Sequence, residues 1–182
     1  MAALASPSRR RVEAAVRTLL RAIGEDPGRP GLEQTPALVA DALPELFSGV
    51  GRDPAEALEV VDGGAPTEVT VEGIAFTAWC EHHLLPFTGT AEVSYMPRGG
   101  RVAGLGGLAR AVELAARRPT LQERLAHDVA SAIDRALEPE WVEVRVRAMQ
   151  LCLTARGARA VGAEVEAVAR LEGRDRKKRS RA

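Results

Sequence analysis

The chain is poor in the residues that usually announce a chemistry. It has two cysteines, Cys80 and Cys152, in 182 residues, which excludes a disulfide-rich secreted scaffold and leaves each cysteine to be weighed singly. Aromatic residues make up 3%, too few for the stacking platforms that bind single-stranded nucleic acid. No stretch approaches the roughly 18 to 20 uninterrupted apolar residues of a bilayer-spanning helix, and the arginine-bearing segment 1–11 has no apolar signal core. A cytoplasmic protein without a membrane partner is expected.

What is present suits one compact core, with 46% hydrophobic and 27% charged residues. Twenty-five basic residues balance 25 acidic ones, but the balance is uneven along the chain. Residues 170–182 hold seven basic and two acidic residues, so the remainder carries eighteen against twenty-three and is net negative by five. Phosphate neutralisation needs a clustered positive face, so a nucleic-acid partner is not expected. The basic end reads as a solvated, disordered tail.

Periodicity divides the rest. Val12, Val16, Leu19, Leu20 and Ile23 recur at helical spacing after Ser6-Pro7, and Gly24 closes the pattern. Thr35-Pro36 restarts a helix carrying Val39, Leu43, Leu46 and Phe47, and a short helical piece is expected after Asp53-Pro54. From Thr67 the period falls to two, through Val69, Val71, Ile74, Phe76 and Ala78, and again over Thr88 to Met96. Helices are expected over Leu108 to Arg118 and Thr120 to Leu137. Two long strands, Trp141 to Thr154 and Ala158 to Leu171, then form a hairpin about Gly157. Helices segregated from strands give the α+β class. The organisation is an N-terminal helix over 1–23, a main domain over 24–173 and a basic tail over 174–182.

Chemistry concentrates in Trp79-Cys80-Glu81-His82-His83, where two of three histidines adjoin one of two cysteines. Cys80 and His83 have a C-x-x-H spacing that aims a thiolate and an imidazole at one ion and leaves His82 free. Strand alternation puts Gln150 and Cys152 on one face, making Cys152 the third candidate ligand. A Cys2His set leaves a fourth tetrahedral position open, as in catalytic zinc sites. Structural readings stand beside this one. An isolated C-x-x-H is commonly accidental, Cys152 alone reads as a small buried hydrophobe, and a Cys80 to Cys152 disulfide is disfavoured in a cytosolic setting. His127 reads as a helix-surface residue. Gln122 and Glu123 open a helix, where a carboxylate suits the dipole, and Arg110 and Arg156 are two of 23 arginines that could clamp an anion.

The run Cys80-Glu81-His82-His83-Leu84-Leu85-Pro86-Phe87 resembles the signature of GTP cyclohydrolase I. Gly24-Glu25-Asp26-Pro27, Gly104-Leu105, Leu108-Ala109-Arg110, Gln122-Glu123-Arg124-Leu125, Leu151-Cys152 and Arg156-Gly157 are similar to further motifs of that family, in the same order, over roughly Ile23 to Gly173. The resemblance implies the tunnelling fold and a homo-oligomer, a decamer with active sites between subunits. It also implies zinc held by Cys80, His83 and Cys152. The implied reaction opens the imidazole ring of GTP at C8 with a zinc-activated water, releases formate and yields dihydroneopterin triphosphate. His82 would exchange protons with the purine ring, Gln122 and Glu123 would read the guanine edge, and Arg110 and Arg156 would bind substrate phosphates.

The departures from the family pattern are specific. Gln150 stands where the family has a second catalytic histidine; it can donate a hydrogen bond but cannot shuttle a proton, and positioned acid–base groups contribute about 10² to 10⁴ in rate. Gly106-Gly107 replaces Ser-Lys, Leu38 replaces an arginine, Asp41 a lysine, and Val161 to Glu166 a Ser/Thr-rich stretch. Three lost charge-assisted contacts at roughly 1.5 to 3 kcal/mol each bound the loss of triphosphate affinity at about 5 to 9 kcal/mol. The expected function is a zinc-dependent cyclohydrolase of this type whose guanine nucleotide or related purine carries fewer phosphates or a different appendage; the alternative is a catalytically silent paralogue that binds a purine or pterin or joins a mixed oligomer, and ordinary GTP turnover with compensating residues is a third reading.

Overall fold

The computed structural model describes residues 6–173; the basic tail expected at 174–182 lies outside the described residues. The chain divides into two compact units, one ending at Ser48 and the other beginning at Gly49.

The first unit is a helix pair. Its α1 (Ser6–Ala22) and α2 (Thr35–Leu46) follow from the apolar spacing noted above. Pro36 sits in the first turn of α2, where its missing N–H costs no helical bond. The two helices are tied across their faces by an ion pair between Arg9 and Asp41. Asp41 therefore has an arginine partner within this unit.

The second unit is a five-stranded sheet carrying helices on one face. Its strands are β2 (Val69–Cys80), β3 (Pro86–Met96), β5 (Pro119–Thr120), β6 (Trp141–Gln150) and β7 (Val165–Glu172), in the order β5-β2-β3-β6-β7. All neighbours are antiparallel except the short parallel pairing of β5 with β2. A separate two-stranded ladder joins β1 (Val60–Val61) to β4 (Val102–Ala103). The 3-10 turn Pro54–Ala57 is started by a capping box in which Asp53 and Glu56 satisfy each other's backbone N–H groups.

Alternation decides which face is covered. Val142, Val144, Val146 and Ala148 of β6 are buried while their neighbours are not, and α3 (Leu105–Ala116) and α4 (Gln122–Leu137) pack over that face. Tyr95, Phe87, Leu108, Leu125 and Ile133 fill the interior at 1% exposure or less, and the Tyr95 hydroxyl accepts a hydrogen bond from Ala103 N at 3.0 Å. The opposite face is polar. There Arg145 reaches Glu166 and Glu143 at 3.0 and 3.1 Å, and Arg147 also pairs with Glu166. Such exposed pairs add little stability; they keep that face hydrated.

The α+β class and the main elements are as the sequence indicates, with three differences. The strand expected over Trp141 to Thr154 ends at Gln150, and Leu151–Thr154 forms one helical turn (α5), so Cys152 lies on a turn and not on a strand. Residues 158–164 are turns and coil, and β7 begins only at Val165. The segment Pro119–Thr120 is a strand at the sheet edge, and α4 starts at Gln122. At the end of β6 the side-chain alternation runs on past the point where hydrogen bonds close a turn. Thr154 Oγ1 bonds to Gln150 O at 3.2 Å and Ala155 N to Leu151 O at 2.9 Å, closing the turn that breaks the strand.

Candidate metal centre

Two separate stretches build the site. The first is the connection 81–85 between β2 and β3. Cys80 ends β2, and its backbone N–H donates to Leu85 O at 2.9 Å while Leu84 N donates to Cys80 O at 2.8 Å, closing a tight loop. Leu84 adopts φ +52, a left-handed conformation that costs a non-glycine residue about 1 to 2 kcal/mol. Glu81 is fastened to α4 by Arg124 Nη1 at 2.8 Å, and Glu81 N donates to Thr120 O at 3.1 Å. The parallel pairing of Cys80 with Thr120 fixes the strand end from the other side.

The second stretch is α5, which follows β6. Phe87 at the start of β3 pairs in register with Gln150 at the end of β6, so Cys152, two residues on, comes back to the Cys80 loop. The ligand atoms of Cys80, His83 and Cys152 all lie within 4.8 Å of one another. Cys80 Sγ stands 3.6 Å from His83 Nδ1. Two sulfurs and one nitrogen on a tetrahedral zinc, at about 2.3 and 2.0–2.1 Å from the ion, are separated by about 3.5 to 3.8 Å, so the donor set fits one such ion with small closure. Cys80 is buried, Cys152 half-buried and His83 exposed.

Electrostatics bear on how the sulfurs are charged. Burial, and then the adjacent Cys80 thiol, push the Cys152 thiol up from its ordinary range, against an opposing pull from Arg156. Two thiolates side by side repel, and a divalent cation is the charge that would relieve both. On the far side of the ring, Arg156 Nη1 lies 2.8 Å from His83 Nε2. A guanidinium only donates, so in this arrangement Nε2 is bare and Nδ1 carries the ring proton toward the Cys80 sulfur. Ligation through Nδ1 requires that proton to move to Nε2, and Arg156 to withdraw from it.

Of the other residues singled out by sequence, some converge here and some do not. His82 is exposed beside the cluster, its ring 6.1 Å from that of His83 and nearly perpendicular to it. Gln150 reaches the cluster, accepting from Cys152 Sγ through Oε1 at 3.7 Å. Gln122 is 3% exposed, and its amide is fully used: Nε2 donates to Val146 O at 2.9 Å and Val165 O at 2.7 Å, and Oε1 accepts from Gln150 Nε2 at 2.7 Å. Glu123 is exposed in the first turn of α4. Arg110 lines a different place, a groove of about 660 Å³ along β2 and α3 with Glu72, Phe76, Glu113 and Arg117, none of which is a candidate ligand.

Sequence reading missed three supports: the Gln122–Gln150 contact, the Arg156 contact to His83, and the Arg124–Glu81 tie. The last had a faint signal in the opposite charges. The amide contact had none, because residues 28 apart on a helix and a strand share no local pattern.

Comparison with known proteins places the chain as a whole. The family model described as GTP cyclohydrolase I matches residues 12–182. The chain is 49% identical over 158 residues to GTP cyclohydrolase 1 of Bacillus subtilis, covering 86% of this chain and 83% of that protein. It is 48% identical over 155 residues to GTP cyclohydrolase 1 of Streptococcus gordonii, covering 85% and 83%. Among solved structures, the archaeosine synthase QueF-Like in its apo form aligns with a TM-score of 0.48 at 25% identity, over 58% of this chain and 94% of that one. With the family model spanning nearly the whole chain, and with the Cys80, His83 and Cys152 donors gathered by the sheet, this protein belongs to the GTP cyclohydrolase I family.

Proposed function

We propose that the protein is a zinc-dependent hydrolase of the GTP cyclohydrolase I type, which opens the imidazole ring of a guanine nucleotide at C8 and releases formate, toward a dihydropterin-type product. The observation that carries this reading is the convergence of two sulfurs and one imidazole, from segments far apart in the chain, within 4.8 Å. When bound, zinc supplies Lewis acidity and a nucleophilic water near neutral pH. The chain's own residues supply the rest. His82, exposed beside the cluster, exchanges a proton with the purine ring. Gln150 holds a hydrogen-bonding group against the reacting centre. Glu123 takes the guanine edge, and Arg156, released from His83, takes an anionic group of the substrate.

Phosphate recognition is where this chain differs from its family. A side chain at Gly107 has no room: a Cβ there would lie 2.8 Å from the Ala57 carbonyl oxygen. The close approach of α3 to the 3-10 turn therefore takes the place of the lysine that the family motif carries. We accordingly favour a substrate with fewer phosphates than GTP. The protein also works as a homo-oligomer, a decamer by family resemblance. Arg110 lies apart from the cluster within one chain, and a second copy is the simplest source of an anion-binding arginine.

The test is formate release by the zinc-loaded protein from GTP, GMP, guanosine and guanine. Release that is strongest for a substrate short of phosphates is expected. Release from none would remove the hydrolase reading for these substrates and leave the silent, purine-binding paralogue.

A further inference from the structure

The two glutamines beside the cluster carry an inference of their own. Gln122 Nε2 lies within hydrogen-bond reach of two backbone carbonyls, Val146 O at 2.9 Å and Val165 O at 2.7 Å. Carbonyl oxygens only accept, so this atom must be the NH2 group, and both of its hydrogens are used. Rotating the amide by half a turn would lose two hydrogen bonds and press an oxygen against two oxygens, in a side chain 3% exposed. The orientation of Gln122 is thereby fixed by the sheet.

The consequence passes down the chain of contacts. Gln122 Oε1 faces Gln150 at 2.7 Å, and an oxygen acceptor there demands a donor, so Gln150 must present Nε2 to it. Its remaining polar atom, Oε1, is then turned to Cys152 Sγ at 3.7 Å. We infer that Gln122 and Gln150 form a one-way amide relay, anchored on the Val146 and Val165 carbonyls, that presents a fixed hydrogen-bond acceptor to the Cys80–His83–Cys152 cluster.

Two assignments follow. Gln122 is a positioning residue that acts through Gln150, and does not itself read the guanine. Gln150 selects a donor, an N–H of the substrate or a water, at its place beside the cluster. In this structure that donor is the Cys152 thiol, at 3.7 Å. The relay geometry stands without a metal; its use rests on the metal reading above.

The experiment is a double-mutant cycle on the full chain loaded with cobalt(II), read by the visible absorption of the ion. If the relay exists, Gln122→Met shifts the cobalt bands in the natural background and produces no further shift when Gln150→Met is already present. No shift from Gln122→Met, or the same shift in both backgrounds, overturns it. Because Gln122 is buried and its loss could prevent folding, neutron diffraction from the deuterated, zinc-loaded natural protein gives a second readout. Both Gln122 Nε2 deuterons should point at the two carbonyls, and one Gln150 deuteron at Gln122 Oε1. Deuterons of Gln150 directed into the cluster would overturn the relay. Neither readout uses formate release, so a failed relay and a failed hydrolase are told apart.

Discussion

At the scale of single residues, the three donors are expected to be unequal in surroundings and alike in necessity. Removing an outer partner of a metal site typically costs 10- to 100-fold in affinity, so Cys152→Ser or His83→Ala should cost more than about 100-fold, with the protein purified short of stoichiometric zinc. Metal analysis finding full occupancy in either variant would contradict the ligand assignment. The raised Cys152 thiol adds a pH dependence. Burial keeps the proton on the free sulfur, zinc must displace it, and affinity should therefore fall as pH falls, by about tenfold per unit from this one thiol. A competition titration against a chelator between pH 6 and 8 measures the slope, and a flat line would mean that Cys152 is not ligating. Gln150→His bears on proton transfer. An imidazole at this position would donate one N–H to Gln122 Oε1 and turn its bare nitrogen to the cluster. It should raise formate release by about 10- to 100-fold, within the range that a placed acid–base group contributes; an unchanged rate would mean that position 150 lies off the proton path.

At the scale of elements, the loop 81–85 and the start of α3 are where local rules are broken. Leu84 is 58% exposed and held at φ +52. Leu84→Gly would relieve about 1 to 2 kcal/mol of left-handed strain and lose about 0.5 to 1 kcal/mol to added freedom in the unfolded chain. A net gain of up to about 1.5 kcal/mol is expected in denaturant unfolding. Clear destabilisation would instead reveal a contact made by the leucine side chain. β2 absorbs its own irregularity at Gly73, φ +68, where the pairing with β3 shifts register between Val71 and Ile74. At Gly107 the constraint is close approach. Gly107→Lys should destabilise by about 1 to 3 kcal/mol, because the Cβ meets backbone and not a movable side chain. Gly106→Ser meets only the tip of Arg110 at 3.2 Å and should be tolerated.

At the scale of the molecule, the sheet leaves an unfinished edge. Among the described residues β7 has no partner beyond β6, and along Val165–Glu172 no residue is fully buried. Val168 is 47% exposed among charged neighbours. A free edge of this length invites pairing, and native mass spectrometry should report multiples of the 19.4 kDa chain. A monomer at micromolar concentration would remove the homo-oligomer and the shared site with it.

Much of this is legible in the linear chain. Helical spacing locates α1 and α2, period-two alternation locates β2, β3 and β6, and the C-x-x-H spacing picks Cys80 and His83, because each signal is contained within a few residues and expresses the geometry of one element. Cys152 is indicated as the third donor by a strand alternation that the folded protein does not have. It reaches the cluster because β6 ends at Gln150 and one helical turn follows, and that ending depends on hydrogen bonds rather than on side-chain pattern. The charge balance, the α+β order and the two ligands on one bend are thus written in the sequence. The arrival of the second sulfur, the exposure of His82 and the orientation of two amides are decided only in three dimensions. Which atom of Gln150 faces the cluster depends on carbonyls of two strands brought to Gln122 by the packing of α4, and no local stretch of chain encodes such a meeting.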